Sequence, residues 1–251
     1  VGGAIAANGK SGFLGALLAG FIAGYLILLL RKAFSKLPES IEKIAPVLLY
    51  PLFGILFIGL IMTFVVEPPI GALNTALNTG LTNMGGASKV VLGMIVAGMM
   101  SVDMGGPFNK AAYVFGTASI AAGNYDIMAA VMIGGMVPPC AIALSTLLFK
   151  NKFTKAERES GPTNFIMGLA FITEGAIPFA ASDPLRVLPS CILGSAAGAL
   201  SMAFNCTLMA PHGGIFVFPV VDHAVMYFLA LIVGTVLGAV ALGLLKKKVE
   251  Q

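Results

Sequence analysis

The stretch from Phe171 to Arg186, Phe-Ile-Thr-Glu-Gly-Ala-Ile-Pro-Phe-Ala-Ala-Ser-Asp-Pro-Leu-Arg, sets two carboxylates, Glu174 and Asp183, in an otherwise apolar neighbourhood. A carboxylate at the centre of a bilayer costs roughly 2.5–3.5 kcal/mol on insertion scales, so at membrane depth it marks a functional site by default. Gly175, Pro178 and Pro184 break any helix over the same stretch. The backbone groups they free cannot be satisfied by lipid, so the segment must line a protein-walled or watery cavity. An ionised carboxylate there can accept hydrogen bonds from adjacent hydroxyls, the pattern a sugar presents. The alternative role for Glu174 is a structural one, capping the N-terminus of a half-helix.

His212, in Ala210-Pro-His-Gly-Gly214, stands where Pro and Gly end an apolar run. It can donate to a sugar hydroxyl or to Glu174, or serve only as a satisfied structural histidine. His223 beside Asp222 is less specific and is set aside. Asp103, Asn109 and Lys110 form a second polar cluster, in which an Asp103–Lys110 ion pair would lower the cost of burying both. Asn109 offers a donor and an acceptor to a hydroxyl. Glu67, before Pro68 and Pro69, reads as an interface or loop residue, and Asp183 as a helix cap or a partner of Arg186. There is no GxxxxGK[ST] and no His/Cys cluster with metal-ligand spacing, so neither an ATP-driven engine nor a metal or other cofactor is expected. Cys140, Cys191 and Cys206 lie in apolar runs without CxxC spacing and read as small packing residues.

The elements that must position these groups are membrane helices. Of 251 residues 58% are hydrophobic and 10% charged, against about 25% charged in soluble domains. The predicted fold class is an all-α integral membrane protein, a transmembrane helix bundle with two broken, re-entrant segments at about 89–123 and 163–185. Spans of bilayer length fall at about 12–30, 47–66, 127–149, 187–210 and 224–245. Residues 31–46 read as an amphipathic helix on the cytoplasmic surface, with Phe34, Leu37, Ile41 and Ile44 on one face, or as a plain solvated loop. The +4 net charge does not suggest nucleic acid, because the basic residues cluster at the ends of apolar runs. With Arg31–Lys43, Lys150–Arg158 and Lys246–Lys248 all inside, the parity of crossings requires 163–185 to dip and return, which leaves the C-terminus cytoplasmic.

Asp103-Met-Gly-Gly-Pro-Phe108 and Glu174-Gly-Ala-Ile-Pro-Phe179 share an acid, three residues and Pro-Phe, one copy in each broken segment. Paired interrupted segments point to a transporter's substrate site. Gly20/Gly24, Gly194/Gly198 and Gly234/Gly238 permit close helix packing. Pro138 and Pro139 should kink their span, with neighbours satisfying the carbonyls they free. The chain opens at Val1-Gly-Gly-Ala without an initiator Met, and reads as a single domain over 1–251 lacking an N-terminal portion.

Gly106-Pro-Phe-Asn-Lys-Ala-Ala112, Phe171-Ile-Thr-Glu-Gly-Ala-Ile-Pro-Phe179 and Pro211-His-Gly-Gly-Ile-Phe216 resemble enzyme IIC, the membrane subunit of the bacterial phosphoenolpyruvate-dependent sugar phosphotransferase system, in its fructose branch. The likeness runs along the whole chain, and the Ile-Thr-Glu block is its most specific part. In the wider superfamily the motif reads Gly-Ile-Thr-Glu; Phe171 stands at that Gly, as in the fructose branch. The resemblance implies a homodimeric, multi-pass protein of the bacterial inner membrane. Its mobile sugar-binding transport portion would lie over 89–251. Fructose or a related hexose would be phosphorylated as it enters, from a phosphocysteine on a partner enzyme IIB domain, and none of the cysteines here would be that residue. Glu174 would then be the catalytic group and bind the sugar, with Thr173, His212, Asp103 and Asn109 lining the pocket. A proton- or sodium-coupled transporter, with Asp103 and Glu174 as a relay, is the rival reading. A non-transporting scaffold is the third.

Overall fold

The computed structural model describes residues 1–35, 37–38, 44–83 and 86–249. The chain forms two compact units, Val1–Asn83 and Met84–Gln251. The protein is an all-α membrane helix bundle: among the described residues five helical stretches are long and apolar enough to cross a membrane, Gly12–Phe34, Ala45–Ala76, Asp126–Leu148, Pro184–Ala203 and Ala224–Leu245.

The first unit holds α1 (Gly2–Asn8), α2 (Gly12–Phe34), α3 (Tyr50–Ile61) and α4 (Glu67–Asn83). Wide π turns at Ala45–Leu49 and Met62–Val66 adjoin α3 and α4 next to Pro51 and Pro68, where missing N–H groups spoil the regular ladder. Ala6, Ala19, Ile58, Met62 and Val66 form its core. Glu67 is a tie rather than a loop residue. Its carboxylate accepts from the Ser11 hydroxyl (2.6 Å) and from the amides of Lys10 and Ser11 (3.1 and 3.2 Å), closing the turn that starts α2. Gly20 and Gly24 face open space, so within this unit their spacing makes no helix contact. Of the amphipathic helix expected over 31–46, residues 36 and 39–43 lie outside the described residues. Arg31 to Phe34 end α2, and Ala45 opens the next helical stretch.

The second unit is arranged around one helix. Its elements are α5 (Gly86–Val102), α6 (Pro107–Ala121), α7 (Asp126–Leu148), α8 (Lys155–Leu169), α9 (Ile177–Ser182), α10 (Pro184–Ser195), α11 (Gly198–Ala203) and α12 (Ala224–Leu245). α7 is apolar on all sides, and 19 of its 23 residues are buried. Such a helix belongs at the centre, and α5, α6, α8, α10, α11 and α12 all pack on it. Small residues set the spacing. A Cβ on Gly134 would overlap the Ala97 carbonyl of α5, and one on Gly194 would sit 2.7 Å from the Gly234 carbonyl of α12. The Gly194/Gly198 and Gly234/Gly238 pairs thus work as read from the sequence.

Both broken segments are present with shifted limits. The first is α5, a turn at 103–106, and α6. The second starts earlier than 163, because a capping box at Thr154 and Glu157 nucleates α8 at Lys155. The span expected at 187–210 instead runs from Pro184 to Ala203 and is interrupted after Ser195. Pro184 suits the first helical turn, and Asn205, at φ +53°, turns the chain out of the helix. Beyond it Thr207–Leu208 pairs antiparallel with Val221–Asp222. At one end of the unit the basic segments meet: Lys246 Nζ lies 3.0 Å from Glu157 Oε1, and the Val249 amide donates to the Asn151 carbonyl (3.1 Å).

Candidate functional site

Each broken segment has to satisfy the backbone groups its break exposes, and the first does so with its own side chains. At the 103–106 turn the Asp103 carboxylate accepts from the amides of Phe108 (2.7 Å) and Asn109 (2.9 Å), two of the orphan donors of α6. The buried Asn109 amide donates to the Met100 carbonyl at the end of α5 (2.9 Å). Asp103 is therefore bound to the helix start and not to Lys110. The ammonium of Lys110 lies 3.6 Å from Glu174 Oε1 instead, so the expected Asp103–Lys110 pair is replaced by one joining the two broken segments. Gly105, at φ +121°, lets the turn approach Glu174: a Cβ there would lie 2.8 Å from Oε1.

The second segment is held by the prolines of α7. Pro138 and Pro139 lack the N–H groups that would bond the carbonyls of Gly134 and Gly135. Ser195 donates to the Gly134 carbonyl (2.7 Å) and Thr173 to that of Gly135 (2.9 Å). Ser101 in turn is hydrogen-bonded to Ser195. The freed carbonyls are satisfied by neighbours, as anticipated, and one of those neighbours is the residue before Glu174. Thr173 is buried, so its hydroxyl fixes the 3-10 turn Thr173–Ala176 against α7.

Removing this tether has a measurable consequence. Thr173→Val strands the buried Gly135 carbonyl and should destabilise the protein by about 1–3 kcal/mol. Pro139→Ala restores a backbone donor at that carbonyl, and in its presence the Thr173→Val loss should shrink by about 1 kcal/mol or more. Thermal unfolding of the four variants in detergent gives this coupling, and equal losses in both backgrounds would remove the tether from the account.

The echoed motifs turn out to share a backbone device and differ in role. Each puts its proline in the first turn of the following helix, Pro107 in α6 and Pro178 in α9. Asp103 caps its helix, whereas α9 has no side-chain cap, and Glu174 is left half exposed toward a cavity. That cavity, of about 320 Å³, is lined by Met100, Asn109, Lys110, Tyr113, Phe171, Thr173, Glu174 and His212. Its size suits a small ligand. A larger groove of about 450 Å³ in the first unit is walled by residues such as Ala19, Gly20, Leu26 and Ile55, and offers no charged side chain.

His212 reaches the cavity through a backbone that glycine alone accommodates. Gly213 and Gly214 have φ +134° and +57°, and a Cβ on Gly214 would overlap the Leu169 carbonyl at the end of α8. The imidazole packs on Phe171 (centroids 5.0 Å) and edge-on to Tyr113 (6.3 Å). Phe171 itself is at φ +65°, a left-handed conformation that is strained for a bulky residue. The left-handed turn at Phe171 thus brings an aromatic wall to the cavity.

Of the residues named from the sequence, Glu174, Thr173, Asn109 and His212 line one cavity, and Asp103 stands behind it as the cap of α6. Asp183 pairs with Arg186 (3.0 Å) and does not cap α10. Met100, Tyr113 and Phe171 were missed as lining residues. Tyr113 had a signal, since it falls one helical turn after Asn109 and Lys110. The site thus offers a carboxylate, an ammonium, an imidazole, an amide and a phenol over an aromatic wall. That set can hold a neutral polyol and take a proton from one of its hydroxyls.

Residues 4–194 match the family described as phosphotransferase system, EIIC; His212 lies beyond the match. The chain is similar along its full length to the "Fructose permease IIC component" of Bacillus amyloliquefaciens, with 51% identity over 252 residues and 83% of that protein covered. It is 52% identical over 252 residues to the "PTS system fructose-specific EIIABC component" of Bacillus subtilis, again over the whole of this chain but only 40% of the relative's length. It is 47% identical over 216 residues to the "PTS system fructose-specific EIIB'BC component" of Escherichia coli, covering 84% of this chain and 38% of that protein. No solved structure matches the chain significantly.

Proposed function

The chain belongs to the phosphotransferase-system EIIC family, and on that premise we propose that it forms the sugar-translocating part of a fructose permease whose sugar is phosphorylated as it enters. The observation that carries this reading is the meeting of the two broken segments at Glu174, the one carboxylate among the residues lining a cavity of about 320 Å³. Glu174 accepts the attacking hydroxyl's proton, while Asn109, His212 and Thr173 line the sugar's seat and Asp103 holds the α6 start that presents Asn109 and Lys110. Transfer to such a hydroxyl needs positioning and charge neutralisation more than covalent help from this chain.

The phosphoryl donor is a phosphocysteine on a partner IIB domain. Two observations support this partner: relatives whose names carry EIIB together with EIIC, and the burial of all three cysteines here as free thiols. The transport portion corresponds to the Met84–Gln251 unit, and the functional assembly is a homodimer in the bacterial inner membrane. Lys150–Arg158 and Lys246–Lys248, which lie at one end of that unit, face the cytoplasm with the C-terminus, so the 163–185 segment re-enters rather than crosses. A proton relay from Asp103 to Glu174 is disfavoured, because both Asp103 oxygens are occupied by α6 amides.

Membrane vesicles containing the full-length transporter test the proposal. With a phosphorylated IIB donor, fructose should accumulate as fructose phosphate, and an uncoupler should leave the rate unchanged. Uptake of unmodified sugar that collapses with the ion gradient would reject it.

A further inference from the structure

We propose that Lys110 is a catalytic residue that takes over the negative charge of the transferring phosphoryl group as Glu174 gives up its own. The inference rests on the fructose-phosphotransferase reading above and goes further into the same site. Lys110 is the one lysine or arginine among the residues lining the cavity. Its Nζ lies 3.6 Å from Glu174 Oε1, longer than a hydrogen bond, and both side chains are about half exposed or more. Such a pair costs little to separate.

Charge balance decides what the ammonium is for. A neutral sugar presents no anion, and the carboxylate, amide and imidazole suffice to bind its hydroxyls. During transfer a bond forms between the sugar oxygen and phosphorus, and the sulfur–phosphorus bond of the donor breaks, its electron pair leaving as thiolate on the partner. The hydroxyl proton passes to Glu174. At that moment Glu174 becomes neutral and Lys110 loses its counter-charge, against walls made by Met100, Tyr113 and Phe171. The arriving phosphoryl oxygens are the replacement anion. The ammonium thus changes partner within the cavity, stabilising charge where it develops. The position of Lys110 favours this exchange, because the start of α6 that carries it is fixed by Asp103 while its own side chain is 61% exposed.

The experiment uses the full-length transporter with its phosphorylated IIB donor, comparing wild type, Lys110→Met and Lys110→Arg. Fructose affinity is measured without donor, and fructose phosphate formation in a single turnover. Lys110→Met should keep fructose affinity within about 3-fold while transfer slows by about 100-fold; Lys110→Arg should recover transfer to within about 10-fold of wild type. The affinity serves as the folding control. A transfer rate unchanged in Lys110→Met overturns the proposal alone, as does a loss of affinity as large as the loss of rate. A wild-type protein that neither binds nor phosphorylates fructose overturns the fructose reading and this inference together.

Discussion

Glu174→Gln should abolish phosphoryl transfer while leaving the protein folded. The carboxylate's one ion pair among the described residues is at 3.6 Å to Lys110, with both side chains about half exposed or more, and such a contact contributes at most about 1 kcal/mol to stability. Its value for a bound sugar is larger. A hydrogen bond to a charged group is worth about 1.5–3 kcal/mol, so losing the charge should weaken fructose binding about 10- to 100-fold. Gln also cannot accept the hydroxyl proton. Loss of a general base costs a further factor of about 10²–10⁴ in the chemical step. Fructose titration, single-turnover transfer and size-exclusion chromatography of the same preparation check the three parts. Unchanged fructose affinity in a well-folded variant would leave the site without its central group and favour a scaffold role.

Gly214→Ala should be the most damaging single-methyl change near the site. Two independent costs fall on one residue. The left-handed backbone, φ +57°, costs an L-residue roughly 1–2 kcal/mol. The new Cβ would also overlap the Leu169 carbonyl, and a backbone atom at a helix end cannot turn aside as a side chain can. Overpacking of that kind adds about 1–3 kcal/mol. The loop can relieve the overlap only by lifting off α8, which takes His212 away from Phe171. Fructose affinity should therefore fall together with the unfolding temperature. Gly123→Ala separates the two costs: it has φ +84° with open space around the missing Cβ, so it carries the backbone term alone and lies outside the cavity. Native fructose affinity in Gly214→Ala would mean that His212 is not held by this loop.

Much of the site was legible because the membrane makes polarity conspicuous. Glu174, Asn109 and His212 stand out in a chain with 10% charged residues, and each lines the cavity. Gly and Pro likewise announced both helix breaks. The role of Asp103 was not legible. Its motif matches that of Glu174 in spacing, and only the fold shows that one acid turns back to its own helix while the other faces the cavity. Spacing along a chain gives neighbours on a helix but says nothing about which way a turn points. Lys110 was misassigned for the same reason, since its partner lies 64 positions away in the other broken segment.

The sequence by itself determined that this is a membrane helix bundle with two interrupted segments, because hydropathy and helix-breaking residues act locally and lipid leaves little alternative. It also determined that Pro138 and Pro139 would need outside donors, since the missing N–H groups are fixed by covalent structure. Which donors supply them was decided only in three dimensions. Ser195 and Thr173 reach Gly134 and Gly135 because α7 is buried and small residues let its neighbours come close. That closeness places Glu174 beside Lys110, a contact between residues far apart in the chain that depends on how helices pack rather than on where they begin and end.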